Sequence, residues 1–553
     1  MASKRRLRAA LLLLSLVALG LAPSVHARDV GRPPPAPSVS TQLSSAPRVF
    51  VREFRFRGNV AFSGAELATV IERYRHRQLT SEELEEARRA ITAFYVAHGY
   101  VNSGAILPDQ DIRDGVVVFE IVEGVLSDIR ISDRQGLLRD RYLQGRLWPF
   151  AGPPLNMSQL KEGLLLLRQN PNVKQLNAQL RPGAKPGESY LDVDVEEQQP
   201  VRLALQADNY RPPSVGAEEF VLLGTDYNLT GNSDVLDFRY RIAANGRGGF
   251  EFSGANDLGG SYTFPLAAIG AIASDTSIQL FGSRSDATIV GEPFASLNIE
   301  SDEIRYGATL RQSIYHTSNR ELSLSVTFER GHADTSLLRE PFDITPGSVN
   351  GKIRTSVLRF TQEWVEREQD QVLALRSTFN VGIDAFGVTD NGTDRNATFV
   401  SWLGQSQYVR RLFNTQNMIL LRADGQWSAD PLLATEQISV GGAHTVRGYR
   451  ENQLVRDTGV IASIEGRVPV LFDKKGAGIV HLAPFGDFGG AWNVDGPSKN
   501  PETIASLGVG VLFTPNPHLD AQLYWGGRLR HVPNPHDNPQ DYGIHFRVTL
   551  AAF

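Results

Sequence analysis

The chain has 553 residues, a formal net charge of -5 at pH 7 and no cysteine. The missing cysteine excludes a disulfide scaffold, a thiolate metal site and a cysteine nucleophile together. The mild acidity gives no electrostatic ground for a nucleic-acid partner, and the length asks for more than one domain.

Residues 1–27 carry a basic front (Lys4, Arg5, Arg6, Arg8), an apolar run from Ala9 to Ala22 and a small-residue exit at Val25-His26-Ala27. They read as a secretory signal peptide cleaved after Ala27. The apolar run is short for a membrane anchor, which needs about 20 residues. Losing the four basic residues takes the formal charge from -5 to -9. Residues 28–47, rich in Pro and Ser, predict a flexible, partly extended linker.

Residues 48–124 predict a strand-helix-helix-strand-strand unit. "VFVREFRFRGN" alternates through Val51, Phe54 and Phe56 and ends on a Gly-Asn turn signal. Ser63 with Glu66 forms a capping box, and Leu67, Val70, Ile71 and Tyr74 fall on one helical stripe. A second box at Thr80 and Glu83 opens a helix that buries Leu84, Ile91 and Tyr95, pairs Glu85 with Arg89 and stops at Gly99. The acidic run Glu82–Glu86 fits a solvated helix face. "GVVVFEIVEG" closes the unit as a strand.

Residues 125–200 repeat the plan: a strand at "LSDIRIS", a helix around Leu137–Leu147, a helix from Asn156 to Asn170, and strands at "VKQLNAQLRPG" and "SYLDVDVEEQ". Two copies of one plan make a tandem repeat. Neither contains a His, Asp or Ser cluster suited to chemistry.

Past Pro200 strict alternation takes over, as in Leu236, Phe238, Tyr240 and Ile242 against Asp237, Arg239 and Arg241. Leu322–Phe328 and Ile544–Leu550 alternate likewise. A sandwich shows the same pattern, but its strands usually run to about 5 or 6 residues, whereas these run to about 10–14, the length of a tilted membrane crossing. Residues 201–553 hold about 16 such segments, an even number as a closed single-chain barrel requires. The polar set, Arg239, Arg241 and Glu329 included, faces a wet lumen.

The longest gap, about 430–458, contains "GGAHTVRGYRENQLV". Loops of that length are functional or disordered. Ile438, Val440, Val446, Tyr449 and Leu454 predict a folded apolar hairpin, which avoids water best inside the barrel. A confined Arg447 then needs a partner. The candidate is Asp487 in "LAPFGDFGGAW", where Gly486, Gly489 and Gly490 admit a close approach.

Two exported units ahead of a barrel, "GYVNSGAILPDQDIRDGVVVFEIVEG", "LRPGAKPGESYLDVDVEE", V-R-G-Y at Val446, Arg447, Gly448 and Tyr449, and F-x-D-x-G at Phe485, Asp487 and Gly489 resemble the outer-membrane transporters of two-partner secretion, the haemolysin and filamentous-haemagglutinin exporters. The resemblance covers nearly the whole mature chain. It implies a transmembrane all-β barrel of about 16 antiparallel strands behind two α+β POTRA domains (48–124 and 125–200), with the loop arginine paired to the strand aspartate. It also implies a large secreted exoprotein as partner (an adhesin, haemolysin or contact-dependent toxin), outer-membrane lipid around the barrel, and insertion by the barrel-assembly machinery. No cofactor or metal is implied. The chain departs from the family in two places: residues 28–47 lack the apolar stripe of a plug helix, and Phe553 falls out of frame with Ile544–Leu550.

Three other readings compete. An assembly factor of the same superfamily shares the loop motif but carries more repeats. A passive porin leaves the repeats and the loop motif unexplained. An enzyme is the weakest: the 11 histidines are scattered, His531 and His536 sit in a Pro-rich loop, and "GVGV" at 508–511 lies in a strand pattern where glycine makes room.

Overall fold

The structure is a computed structural model describing residues 41–42, 48–132, 136–244, 255–266, 275–290, 297–413 and 415–552. The signal peptide, most of the linker and Phe553 lie outside the described residues. One compact unit takes in the described residues up to Ile91 together with Ala105–Ile121; the other holds Thr92–Gly104 and everything from Val122.

In the first unit, Glu53–Arg57 runs parallel to the strand that starts at Val116, and Val49–Val51 pairs with Arg77–Leu79. The last of these is too short to leave a periodic signal. Ser63 Oγ accepts the Glu66 N–H at 3.3 Å and the Glu66 carboxylate accepts the Ser63 N–H at 2.8 Å, the reciprocal box expected of that pair. The helix ends at Val70, and a 3-10 turn, Glu72–Tyr74, carries Tyr74 into the core with Leu67 and Ile71. Thr80 and Glu83 cap Ser81–Ala97 in the same way, at 2.9 and 3.3 Å. Glu85 pairs with Arg89 at 4.0 Å, as expected, and more closely with Arg88 at 2.6 Å. Arg88 is better anchored because it also reaches the Ala105 carbonyl at 3.1 Å.

In the second unit, Glu188–Glu197 is the central strand of a three-stranded sheet, parallel to Val125–Ser132 and antiparallel to Val173–Pro182. The helices Asp140–Leu147 and Met157–Arg168 press Leu143, Leu147, Leu160 and Leu167 onto Ile129, Leu191 and Val193. The first helix starts later than the pattern suggests, because the Glu197 carboxylate holds the Leu137 N–H at 2.7 Å and the Leu138 N–H at 3.0 Å in a turn ahead of it. Asn156 serves as the N-cap of the second helix, its side chain accepting the Ser158 N–H at 2.9 Å.

From Val201 on, 16 antiparallel strands among the described residues close into a barrel, the last (Ile544–Ala551) pairing with the first (Val201–Asp208) through Leu205–Leu550 and Ala207–Val548. The fold class read from alternation is the one observed. Leu236, Phe238, Ile304, Leu310, Phe360, Ile464, Leu507 and Leu550 are exposed, while Ser323, Asp424, Glu465 and Asp487 are buried. A water-soluble protein would invert that distribution; a barrel in lipid requires it.

Residues 139–172 sit on three successive strand turns at one rim. Arg146 Nη1 pairs with Asp275 at 2.5 Å, and Asp275 also faces His316 Nδ1 at 3.3 Å. Glu162 accepts from Ser318, whose carbonyl takes Gln169 Nε2 at 2.7 Å. Asn170 Nδ2 reaches Ser233 Oγ and Asn172 Nδ2 reaches the Tyr227 carbonyl, both at 2.8 Å.

Burial alone would raise the Asp275 pKa, but the His316 hydrogen bond and the Arg146 charge outweigh it and hold the carboxyl below its ordinary 3.8. A depressed pKa contributes stability above the unfolded value and loses it as pH falls through the folded value. Protection of the Asp140–Leu147 amides, taken as the ratio of intrinsic to observed exchange rate, is therefore expected to hold from neutral pH down to the ordinary carboxylate range and to fall only below 3.8. Asp275→Asn should show the lowered protection already at neutral pH.

Candidate functional site

Between the eleventh strand (Met418–Ser428) and the twelfth (Thr458–Phe472) the chain turns into the lumen. The predicted hairpin forms: Ile438–Val440 pairs with Leu454–Arg456. It buries Ile438, Val440, Val446, Tyr449 and Leu454 against Ile461, Ala491, Ile504 and Val532. The loop thus builds an apolar core of its own within a polar channel.

At its tip Arg447 meets the inner faces of the twelfth strand and the thirteenth (Gly478–Trp492). Arg447 Nε donates to Asp487 Oδ2 at 2.8 Å, Nη2 to Oδ1 at 2.9 Å, and the backbone N–H to Oδ2 at 3.0 Å. Nη1 pairs with Glu465 Oε2, and Nη2 reaches Ser463 Oγ at 3.2 Å. The guanidinium carbon lies 3.7 Å from the Phe485 ring centroid and 4.8 Å from that of Tyr524. Arg447 is 7% exposed and Asp487 4%, so this is a dry, bidentate pair and not a solvated contact. Arg467 Nε donates to Glu465 Oε1 at 2.7 Å, so two arginines face two carboxylates and the cluster is neutral.

The remaining motif residues each have a place. Phe485, Asp487 and Gly489 alternate along one strand and so share its inner face. At Gly489 a Cβ would come within 2.3 Å of Val440 Cγ1 and 2.9 Å of Val446 Cγ2. Gly486 and Gly490, expected to admit the loop as well, meet wall side chains of Leu507 and Trp492 instead, because alternation turns them away from the lumen. The Tyr449 hydroxyl stands 2.9 Å from the carbonyls of Ala505 and Arg530 and accepts the Arg530 N–H at 3.1 Å. Gly448, at φ +94°, lies backbone to backbone on Gly526: a Cβ there would be 2.7 Å from the Gly526 oxygen. In the "GVGV" strand, Cβ atoms at Gly508 and Gly510 would strike the rings of Phe485 and Tyr524, so both glycines make room, as expected.

Several residues escaped the sequence reading. Ser463 stands directly across from Asp487 and Glu465 across from Phe485 in strand register, so counting back along the twelfth strand with period 2 would have found both. Tyr524 and Gly526 come from a strand without a recognisable motif. Arg450 binds Asp541 through Nε at 2.5 Å and Nη2 at 2.6 Å, and Gln540 donates to the carbonyls of Asn209 and Arg211 at 2.6 and 2.7 Å. Residues 540–541 thereby tie the loop to the end of the first strand. Of the lumenal charges expected, Arg241 faces Glu219 and Asp257 at 3.5 and 3.6 Å, and Glu329 joins Arg359 and Arg305 at 2.9 and 3.3 Å. Arg239 lines a cavity with Asp208, Glu219, Arg241 and His444.

A closed barrel that exposes apolar side chains and lines its interior with charge, preceded by two α+β modules and entered by its own loop, is an outer-membrane transporter in architecture. The model of the haemolysin secretion/activation proteins ShlB/FhaC/HecB matches residues 187–513, and that of the ShlB-type POTRA domain matches residues 49–124. The chain belongs to this family, as its motifs led one to expect. It is 24% identical over 437 residues to the outer membrane transporter CdiB of Dickeya dadantii (strain 3937), covering 75% of this chain and 72% of that one. It is also 24% identical over 487 residues to the heme/hemopexin transporter protein HuxB of Haemophilus influenzae (strain 86-028NP), covering 83% and 79%. Among solved structures, CdiB from Escherichia coli shares the fold at TM-score 0.68 and 20% identity, over 93% of this chain and 94% of that one. The barrel lies in the outer membrane and the POTRA domains in the periplasm.

The glycine contact is testable apart from the charges. Gly526→Val is expected to unseat Gly448, lowering stability by about 1–3 kcal/mol and opening the loop to protease in detergent. Gly425→Ala, where the nearest atom to a Cβ is a carbonyl oxygen 4.0 Å away, should leave both melting and cleavage unchanged.

Proposed function

We propose that the chain secretes a large unfolded exoprotein, an adhesin, haemolysin or contact-dependent toxin, through its barrel, with Arg447 and Asp487 as the latch of the lumenal loop. In this reading the signal peptide (1–27) is removed and a linker (28–47) leads to two capture domains, 48–124 and 125–200. These add an extended segment of cargo to a sheet edge. The cargo then passes through the wet lumen of 201–553 as an extended chain and folds outside, which makes re-entry unfavourable and dispenses with nucleotide. The machinery that assembles outer-membrane barrels inserts the chain into lipid.

The observation that carries this reading is the buried three-point contact of Arg447 with Asp487. It supports the reading because a folded loop segment fixed to the wall through charge is held by an interaction whose release does not require the barrel to unfold. Removing one partner strands the other charge in a dry site, at a cost of about 3–5 kcal/mol.

Arg447→Ala and Asp487→Ala are each expected to abolish appearance of the exoprotein encoded beside this chain while leaving a folded, inserted barrel. Normal export by both variants would refute the latch. Deleting the chain should remove that exoprotein from the cell surface; general depletion of outer-membrane proteins would identify an assembly factor instead.

A further inference from the structure

Ahead of the hairpin, a short 3-10 turn, Ala434–Glu436, brings a carboxylate to a different part of the wall. Arg359 donates to it from both terminal nitrogens, Nη1 to Oε2 at 2.9 Å and Nη2 to Oε1 at 3.0 Å. Arg359 belongs to the eighth strand, Lys352–Arg367, and Nη2 also reaches Glu329 Oε1 at 2.9 Å on the seventh, Arg320–Leu337. Glu329 holds Arg305 Nη1 at 3.3 Å, and Arg305 Nη2 returns to the loop at the Thr435 carbonyl, again at 3.3 Å. From the loop's other side, Gln426 Nε2 donates to the Glu436 carbonyl at 3.0 Å. The Glu436 side chain is 4% exposed and that of Arg359 20%, so the acid is buried while its partner keeps some contact with the lumen.

The polarity is the reverse of the motif contact. At Arg447 the loop supplies the cation and the wall the acids; at Glu436 the loop supplies the acid and the wall the cation. Three strands separate the eighth from the twelfth, so the loop is pinned at two well-spaced places on the strands of the wall, besides the Arg450–Asp541 pair that ties it to the turn ahead of the last strand. With one pin engaged, the other re-forms as an intramolecular contact at high effective concentration. Loss of a single pin therefore changes the loop's position little.

We infer that Glu436 and Arg359 form a second anchor of the lumenal loop, independent of Arg447, and that the loop leaves the lumen only when both anchors are released. This deepens the latch reading and rests on it for its role in transport, but not for the position of the loop. Glu436 and Arg359 act as positioning residues.

The test is the ionic conductance of the purified full chain in planar lipid bilayers, which reads the loop and not the cargo. R447Q and E436Q alone should each stay near the parent conductance, and R447Q/E436Q should raise the time-averaged conductance by about tenfold. R447Q/R359Q, which removes the wall's side of the same anchor, should match R447Q/E436Q. The inference is overturned if either single variant matches the double, if R447Q/E436Q matches the parent, or if R447Q/R359Q stays at the level of R447Q alone. Should the double fail to insert, R447K/E436D carries the same comparison. An export defect without these conductance changes would leave the latch standing and remove the second anchor. The changes without an export defect would do the reverse.

Discussion

A guanidinium buried against two strands governs this molecule. An isolated charge in such a place is expensive, and the chain neutralises it with Asp487 and Glu465, balances the second acid with Arg467, and covers the ion with the faces of Phe485 and Tyr524. Room for those rings comes from Gly508 and Gly510 on the next strand, and room for the loop behind them from Gly489 and Gly526. The glycine pattern of the last strands is thus a consequence of where one arginine has to sit.

That arrangement also explains how an apolar loop rests in an aqueous channel. The hairpin does not hide its side chains in lipid or against a dry wall; it packs Val440, Val446, Tyr449 and Leu454 on one another and on a few small or aliphatic wall positions. Polar contacts then fix the parcel at its edges: Arg447 at the tip, Glu436 on the descending limb, Arg450 at residues 540–541, and Asp457 at the base, where a fully buried carboxylate accepts from Arg395, Gln437 and the amides of Leu432 and Val494. Charge pairs are directional in a way that apolar burial is not, so they fix where on the wall the loop sits as well as keeping it packed. On the opposite rim the second POTRA domain grips three turns by hydrogen bonds and one ion pair, so both ends of the channel are bounded by polar contacts.

Much of this was legible from residue order, because period carries it. Alternation with period 2 over long segments gave the sixteen strands and the face that each residue occupies, and capping boxes at Ser63 and Thr80 gave two helix starts; both are local properties of the chain. Where local signals fell short, a distant group had intervened: Glu197 delays a helix that begins some 60 residues before it in sequence, and Arg88 adds a closer contact with Glu85 than Arg89 does because a carbonyl at Ala105 lies within its reach.

Residue order by itself therefore determined the architecture, the family and one ion pair, since hydrophobic period and short motifs are written along the chain. Tyr524, Gly526, Glu436 and Arg359 were decided only by the closed barrel. Their partners lie on strands far apart in sequence, and strand register and barrel curvature, which no local pattern encodes, bring them to within hydrogen-bonding distance.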